Sequence, residues 1–265
     1  MRTHHQLAAV ILVLLLGVVP VPMQAMAMGS SADQQPRGGQ QVAFAILLHG
    51  MGRTHRSMGK MARHLSDQGY IVVNLDYPST EADIETLSMG IVAETVDRCR
   101  SEDSEAPIHF VTHSLGGILV RHYLQDHTLP PDSRVVMLSP PNRGSEIADG
   151  LKDFPPYRWI MGPAGQQLGT TANAIPNRLE KVDVSVGVIA GDRSLNPLFS
   201  KAVPGADDGK VPVKRTGVRG MKDFLVVHRT HTFLMNGHDV RRQVVHFLRE
   251  GCFAKEGGDE RAGSS

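Results

Sequence analysis

The strongest candidate for chemistry is a serine between a short apolar run and an apolar helical pattern, Ser114 in the stretch 112–117, THSLGG. A tight strand-to-helix turn lifts such a hydroxyl clear of the backbone and requires small residues two positions before and after the serine. Gly116 meets this requirement, whereas Thr112 is larger and β-branched. The following helix would point backbone N–H groups at the site, which suits a developing negative charge. A serine at this place is also a common helix N-cap, so a structural role stays open.

A histidine later in the chain could activate that serine. The stretch 228–235, HRTHTFLM, follows a short apolar run and contains His228 and His231. A general base must reach the serine hydroxyl, and an imidazole titrates near the usual working pH. We favour His231 as the base, because His228 still belongs to the end of the predicted strand.

Three aspartates are candidates for the carboxylate that fixes the tautomer of such a base and stabilises its imidazolium form. Asp192 follows the apolar run 184–190, and Asp207 and Asp208 come later, just before Gly209. Each of the three could instead be a turn residue, since aspartate is common in tight turns. The residues alone therefore leave the choice of acid open.

The elements that must position these side chains alternate along the chain. Short apolar runs predict strands at 42–48, 70–75, 108–112, 134–138, 184–190 and 224–227, and helical periodicity predicts helices at 57–68, 84–99, 115–125 and 239–249. Strands separated by helices indicate an α/β fold, a mostly parallel sheet with helices on both faces. Ligands of such sheets bind outside the carboxyl ends of the strands, where Ser114 and His231 are expected.

An insertion interrupts this alternation at about 140–181. It is rich in proline and glycine and contains Trp159, the only tryptophan. A connection of this length is far longer than usual. We interpret it as a lid over a substrate pocket, and the alternative is a surface excursion that packs on the edge of the sheet.

The motif around Ser114 resembles the nucleophile turn G-x-S-x-G of the α/β-hydrolase family, with Thr112 in place of the first glycine. The chain order of Ser114, Asp208 and His231 is also that of the family, and the resemblance spans about 42–250. Stretches such as 142–146, NRGSE, are similar to exported bacterial lipases and esterases of this fold.

This resemblance implies further site residues. The turn 49–52, HGMG, stands where the family forms an oxyanion hole, so the expected donors are the backbone amides of Met51 and Leu115. A structural glycine-rich turn is the alternative for this stretch. Many members have the sequence G-x-x-D-x-x-V-P around the catalytic acid. In this chain the pattern would begin at Gly191, and Ser194 stands at the position of the aspartate. The D-x-x-V-P part reappears at 208–212, which favours Asp208 as the acid.

The resemblance implies a serine carboxylic-ester hydrolase of lipase or esterase type that forms an acyl-enzyme on Ser114. An acyltransferase or a thioesterase with the same triad is the alternative, and a non-catalytic binding module on this fold is a third possibility. We expect no metal or organic cofactor. The expected partner is a small-molecule or lipid ester, with contact to a membrane or lipid surface through apolar insertion residues such as Trp159 and Ile160. We expect a monomer.

The amino-terminal segment predicts export. Residues 1–27 combine a short basic start with Arg2, an apolar run shorter than the roughly 20 residues that span a membrane, and an Ala-Met-Ala step. This pattern is typical of a signal peptide, with an uncleaved anchor as the alternative, and the expected location is periplasmic or secreted. We then predict a flexible linker at 28–40, the hydrolase domain at 41–252 and a disordered tail at 253–265.

Composition and charge exclude other classes of function. The chain has 265 residues, of which 41% are hydrophobic and 21% charged, as in ordinary globular enzymes. Without residues 1–27 it carries 27 basic and 27 acidic residues, and this balance argues against a nucleic-acid partner. Cys99 and Cys252 could pair in an oxidising compartment, but their positions in the sequence do not decide this.

Overall fold

Six parallel strands carry the candidate site. The computed structural model describes residues 42–195, 200 and 205–255, so the predicted signal peptide and linker lie outside the described residues. The strands are β1 (Phe44–Leu48), β2 (Ile71–Leu75), β3 (Ile108–His113), β4 (Arg134–Leu138), β5 (Ser185–Gly191) and β6 (Asp223–Val227). They form one sheet in the order β2-β1-β3-β4-β5-β6, and each neighbouring pair is parallel. The predicted α/β fold class is therefore confirmed, and the carboxyl ends of the six strands lie at the same edge of the sheet.

Helices connect these strands. The described helices are α1 (Gly59–Asp67), α2 (Ile84–Leu87), α3 (Ala93–Glu102), α4 (Leu115–Tyr123), α5 (Glu146–Leu151), α6 (Pro155–Gln166), α7 (Ile175–Arg178), α8 (Val213–Thr216) and α9 (His238–Glu250). A π-helical segment, Ser88–Val92, joins α2 to α3, and short 3-10 turns occupy His55–Met58 and His231–Asn236. The second of these turns contains the predicted base.

The hydrophobic core lies on both faces of the sheet. Along β1, Ile46 and Leu48 belong to a cluster that includes side chains of α3 and α4, whereas Ala45 and Leu47 belong to a second cluster with side chains of α1 and α9. Successive side chains of a strand point to opposite faces. A strand covered on both faces therefore requires a continuous apolar run, as the sequence of β1 has.

The insertion contains α5, α6 and α7 and is attached to the rest of the domain at several points. The Ile84 amide donates to Gln167 Oε1 over 2.7 Å, at the start of α2. The buried guanidinium of Arg121 on α4 donates to the carbonyl oxygens of Asn142, Pro176 and Leu179. These hydrogen bonds fix both ends of the insertion to the rest of the domain, whereas Trp159 on α6 is 86% exposed. The function of the insertion as a lid stays a prediction.

The prediction of a disordered tail from 253 onward is wrong for its first residues. Phe253 is buried and contacts Phe247 on α9. The amide of Phe253 donates to Asp223 Oδ2 over 2.7 Å, and the amide of Ala254 donates to Gln243 Oε1. The burial of an aromatic ring and these hydrogen bonds order the chain beyond the predicted domain end. Residues 256–265 lie outside the described residues.

The two cysteines do not form a disulfide. Cys99 is buried and Cys252 is exposed, and both are free thiols. Burial raises the pKa of the Cys99 thiol to about 11, so it stays protonated and unreactive at neutral pH. Across residues 42–195, 200 and 205–255, no helix has the length and apolarity that crossing a membrane requires.

Candidate active site

Ser114 lies in a strained turn between β3 and α4. Its backbone angles are φ 51° and ψ −118°, which a residue with a side chain rarely adopts. The amide of Ser114 donates to the carbonyl oxygen of Leu138 at the end of β4 over 2.9 Å. The hydroxyl forms no capping hydrogen bond with α4, so the alternative role of an N-cap is not what the structure shows.

The close approach of strand and helix at this turn depends on Gly116. A Cβ atom at this position would lie 2.7 Å from Leu48 Cβ and 2.9 Å from the Leu48 carbonyl oxygen. Thr112, which replaces the first glycine of the motif, fits because Gly117 on α4 leaves room for its side chain. A Cβ atom on Gly117 would lie 3.3 Å from the Thr112 hydroxyl oxygen. The larger residue is thus tolerated where the helix presents a second glycine.

His231 and Asp208 form a buried pair. The His231 Nδ1–H donates to Asp208 Oδ2 over 2.7 Å, and the His231 amide donates to the Asp208 carbonyl oxygen over 2.9 Å. The two side chains are 5% and 0% exposed. This contact fixes the tautomer in which Nε2 of His231 is free to accept a proton.

The environment of Asp208 favours its charged form. Burial alone would raise the pKa of this carboxyl group, but the charge of His231 and hydrogen bonds from His231, Ser139 and the Val211 amide hold the pKa below its ordinary value. The Val211 and Lys210 amides donate to Asp208 Oδ1 over 2.8 and 3.1 Å. Both oxygens of the carboxylate are therefore occupied by donors.

The other predicted acids have different surroundings. Asp192 Oδ1 accepts from Nδ1–H of His228 over 2.9 Å, so the two alternative residues pair with each other. Their side chains are 33% and 76% exposed, in contrast to the buried pair. Asp207 is a turn residue, because its Oδ1 accepts from the Gly209 amide over 2.7 Å.

The predicted oxyanion loop, residues 49–52, lies directly beside Ser114. A Cβ atom on Gly50 would lie 3.2 Å from Ser114 Cβ and 2.7 Å from His113 Nδ1, so only glycine permits this approach. The Arg53 amide donates to the Gly50 carbonyl oxygen and closes the turn that contains Met51. Leu115 is the first residue of α4, where a backbone amide has no partner within the helix.

His113 links the serine turn to the histidine loop, which its sequence context does not indicate. Its Nε2–H donates to the His231 carbonyl oxygen over 3.0 Å, and the two rings lie 4.7 Å apart. Burial, followed by the charges of His231, Arg53 and Lys210, holds the pKa of His113 well below its ordinary value. The neutral ring therefore acts as a hydrogen-bond donor. The only feature of the sequence that could have indicated this role is the position of His113 next to Ser114.

Ser139 also supports the acid without an obvious signal in the sequence. It follows β4 directly, has φ 44° and is fully buried. Its hydroxyl accepts from the Gly191 amide over 3.2 Å, and it helps to hold the pKa of Asp208 below its ordinary value. This hydroxyl thereby connects the ends of β4 and β5 to the buried pair.

One contact of the expected triad is not formed. Among the described residues, the hydroxyl of Ser114 has no hydrogen bond to His231 or to another side chain, although His113 holds the His231 loop beside it. Hydrogen bonds of this kind are often long or poorly aligned until a substrate occupies the site. The structure thus brings Asp208 and His231 together and joins the His231 loop to His113, the residue that precedes Ser114.

The chain matches the sequence profile of the alpha/beta hydrolase family over residues 45–249. No curated protein matches it significantly. Among solved structures it is similar to the mature form of the Bacillus licheniformis lipase BlEst2, with a TM-score of 0.65 and 16% identity over 82% of this chain and 96% of that one.

Two further solved structures share the fold. A metagenomic carboxyl esterase has a TM-score of 0.55 and 19% identity over 79% of this chain and 70% of that one. The phospholipase PlaB from Legionella pneumophila has a TM-score of 0.56 and 18% identity, over 66% of this chain and 46% of that one. At these identities the similarity establishes the fold alone.

Proposed function

The chain belongs to the alpha/beta hydrolase family, and we propose that it hydrolyses carboxylic esters through an acyl-enzyme on Ser114. The observation that supports this proposal most is the buried hydrogen bond between His231 Nδ1 and Asp208, beside a serine held in a strained turn. A lipase, a phospholipase and a carboxyl esterase are among the proteins of known structure that share this fold.

In the proposed mechanism, Nε2 of His231 takes the proton of the Ser114 hydroxyl while the oxygen attacks the ester carbonyl carbon. The carbonyl oxygen becomes an oxyanion, which the amides of Met51 and Leu115 stabilise. His231 then protonates the leaving alcohol. A water molecule, deprotonated by His231, attacks the acyl-enzyme, and the acid product leaves with Ser114 regenerated.

Asp208 and its donors keep the base in one orientation through both steps. The carboxylate holds Nδ1–H of His231 and stabilises the imidazolium that forms when Nε2 takes a proton. Because the Lys210 and Val211 amides hold its other oxygen, Asp208 cannot turn away from the ring. These residues require no metal or organic cofactor for the proposed steps.

We propose a small-molecule or lipid ester as substrate and a lipid surface as the place of contact. Trp159 on α6 is 86% exposed, and Phe233 in the turn that begins at His231 is 56% exposed. Since Trp159 is the only tryptophan, its fluorescence reports on α6 alone. A blue shift on addition of phosphatidylcholine vesicles is expected, and unchanged emission would contradict contact through the insertion.

The decisive experiment compares Ser114→Ala with Ser133→Ala in turnover of p-nitrophenyl butyrate. Loss of the nucleophile is expected to lower kcat on the order of 10⁶-fold. Ser133 is a buried serine at the opposite end of β3, where its hydroxyl accepts from the Ile108 amide, so this control should keep its activity. Full activity of folded Ser114→Ala would refute the proposal.

The same assay separates the related reactions. With excess alcohol or thiol present, an ester hydrolase is expected to release mainly the free acid. Predominant transfer of the acyl group to the added acceptor would instead identify an acyltransferase. A comparison of matched oxygen and thiol esters tests for a thioesterase, which would favour the thiol ester strongly.

We also propose that the protein is exported after removal of residues 1–27. The basic start, the apolar run and the Ala-Met-Ala step of this segment support the proposal. Expression of the full chain in a bacterial host, followed by fractionation and amino-terminal sequencing, should give a periplasmic or secreted product that begins at Met28. A cytoplasmic product that retains residues 1–27 would contradict it.

A further inference from the structure

The loop after β2, which contains none of the proposed catalytic residues, forms hydrogen bonds with the oxyanion loop. We propose that Tyr77 and Ser79 are positioning residues that fix the Met51 amide in its place in the oxyanion hole. This inference rests on the proposed ester hydrolysis and deepens it. Neither residue belongs to the motif that carries Ser114, and both lie in a segment of the chain that has no predicted role.

Tyr77 binds the amino-terminal end of the oxyanion loop. Its hydroxyl donates to the His49 carbonyl oxygen over 2.5 Å, and its ring stacks on the His49 ring with 4.1 Å between centroids and 14° between planes. Tyr77 is 5% exposed. Burial raises the pKa of the phenol far above its ordinary value, so the hydroxyl remains a donor at every working pH.

The tautomer of His49 completes this end of the loop. Burial outweighs the attraction of Asp76 and lowers the pKa of His49, so the ring is neutral. Its Nδ1–H donates to the Gly50 carbonyl oxygen over 2.8 Å, which leaves Nε2 to accept the Tyr77 amide over 3.4 Å. The side chains of Tyr77 and His49 thus bind the main chain on the amino-terminal side of Met51, and the Tyr77 amide holds the His49 ring.

Ser79 binds the other end of the loop. The Gly52 amide donates to the Ser79 hydroxyl oxygen over 2.9 Å, and Ser79 is 4% exposed. The Ser79 amide in turn donates to the Tyr77 carbonyl oxygen, so the two positioning residues form one rigid turn. The residues before and after Met51 are therefore both fixed by this turn.

The oxyanion loop needs such support because it cannot fix itself. β1 ends at Leu48, and two of the next four residues are glycines, which lose the most conformational freedom when ordered. An oxyanion donor acts only within about 2.7–3.1 Å of the developing charge. Small displacements of the Met51 amide should therefore lower the rate rather than the binding of the substrate.

The same turn is itself anchored on its far side. The Ala164 amide on α6 donates to the Ala82 carbonyl oxygen over 3.2 Å, and Ile84 binds Gln167. The insertion thus supports the segment that carries Tyr77 and Ser79. The positioning turn is thus bonded both to the insertion, through the residues that follow it, and to the oxyanion loop.

The test uses Tyr77→Phe and Ser79→Ala with a p-nitrophenyl ester and a trifluoromethyl ketone, whose adduct with Ser114 places an oxyanion in the hole. We expect kcat to fall about 10-fold in each variant at nearly constant KM, since only transition-state stabilisation is lost. The affinity for the ketone should fall by the same factor, and the pH profile should not move. Tyr123→Phe and Ser88→Ala each remove one hydroxyl group from a buried residue, on α4 and in the π-helical segment, so these controls should keep wild-type kcat.

Each outcome decides the proposal. A lower unfolding midpoint with unchanged kcat and unchanged ketone affinity would overturn it, because the two residues would then serve stability alone. Equal losses in the controls would also overturn it. If Tyr77→Phe does not fold, kcat and ketone affinity of Ser79→Ala decide the question. Wild-type protein without ester turnover would overturn the proposed function as well, whereas an active wild type with unaffected variants overturns only the positioning role.

Discussion

Two aspartate–histidine pairs stand beyond the carboxyl ends of β5 and β6, and their burial distinguishes them. Asp208→Asn is expected to lower kcat by about 10³- to 10⁴-fold, because an amide cannot hold the catalytic tautomer of His231. Asp192→Asn is the matched control, since Asp192 binds His228 at the exposed surface and should be dispensable for turnover. The measurement is kcat with p-nitrophenyl butyrate for both folded variants. A larger loss in Asp192→Asn would transfer the role of the acid to that residue.

The charged surroundings of Asp208 also predict a pH dependence of stability. Its pKa in the folded protein lies below the ordinary value of 3.8, so ionised Asp208 stabilises the fold above that pH. This contribution is lost as the pH falls through the lowered pKa of the folded state. The difference in free energy of unfolding between wild type and Asp208→Asn should therefore decrease from pH 5 to pH 3 in urea titrations. A difference that stays constant or increases would show that the carboxyl group is not stabilised in its charged form.

At the scale of elements, the junction of β3 and α4 sets the geometry of the serine. Gly116→Ala is expected to lower the free energy of unfolding by about 2 kcal/mol, because the new methyl group collides with the backbone of Leu48. Relief of this contact requires α4 to move away from β1, which would also move Ser114. Urea denaturation measures the first effect and ester turnover the second. Gly90→Ala is the control, since a Cβ atom there meets no other atom within 4 Å. Equal stability of the two variants would argue against close packing at the turn.

Strands could be predicted wherever polar or turn-forming residues stand on both sides of a short apolar run. β4 occupies Arg134–Leu138 as predicted, because its apolar residues stand between a charged residue and the serine before Pro140. The short helix α8 could not be predicted, since its four residues carry no periodicity. The ordered start of the tail was also missed, because Phe253 is held by a contact with α9 and by Asp223, which is distant in the sequence.

Site residues that belong to a local sequence motif could be predicted. Residues that act through a contact with a distant loop could not. Ser114, Asp208 and His231 follow from motif and chain order, and the structure brings the last two into contact. Tyr77 and Ser79 give no such signal, because their partners lie in a loop that precedes them by more than twenty residues. These hydrogen bonds depend on tertiary proximity, which a local sequence pattern does not indicate.

At the scale of the whole molecule, the strand order explains how residues so far apart in sequence share one site. β3 lies between β1 and β4, so the oxyanion loop after β1 and Ser139 after β4 flank the serine turn. β5 and β6 follow on one side and supply the loops of Asp208 and His231. The loop after β2 completes the arrangement on the other side with Tyr77 and Ser79. An ester bound over the turn would thus meet the base from one side and the oxyanion donors from the other.

The proposed role of Ser114 as nucleophile can be tested by covalent labelling of the purified protein with a fluorophosphonate probe, followed by mass spectrometry of the peptides. We expect a single adduct, on the peptide that contains Ser114. The adduct should be absent in Ser114→Ala, strongly reduced in Asp208→Asn and retained in Ser133→Ala. A folded wild-type protein that remains unlabelled, or that carries the adduct on another residue, would show that Ser114 is not the nucleophile.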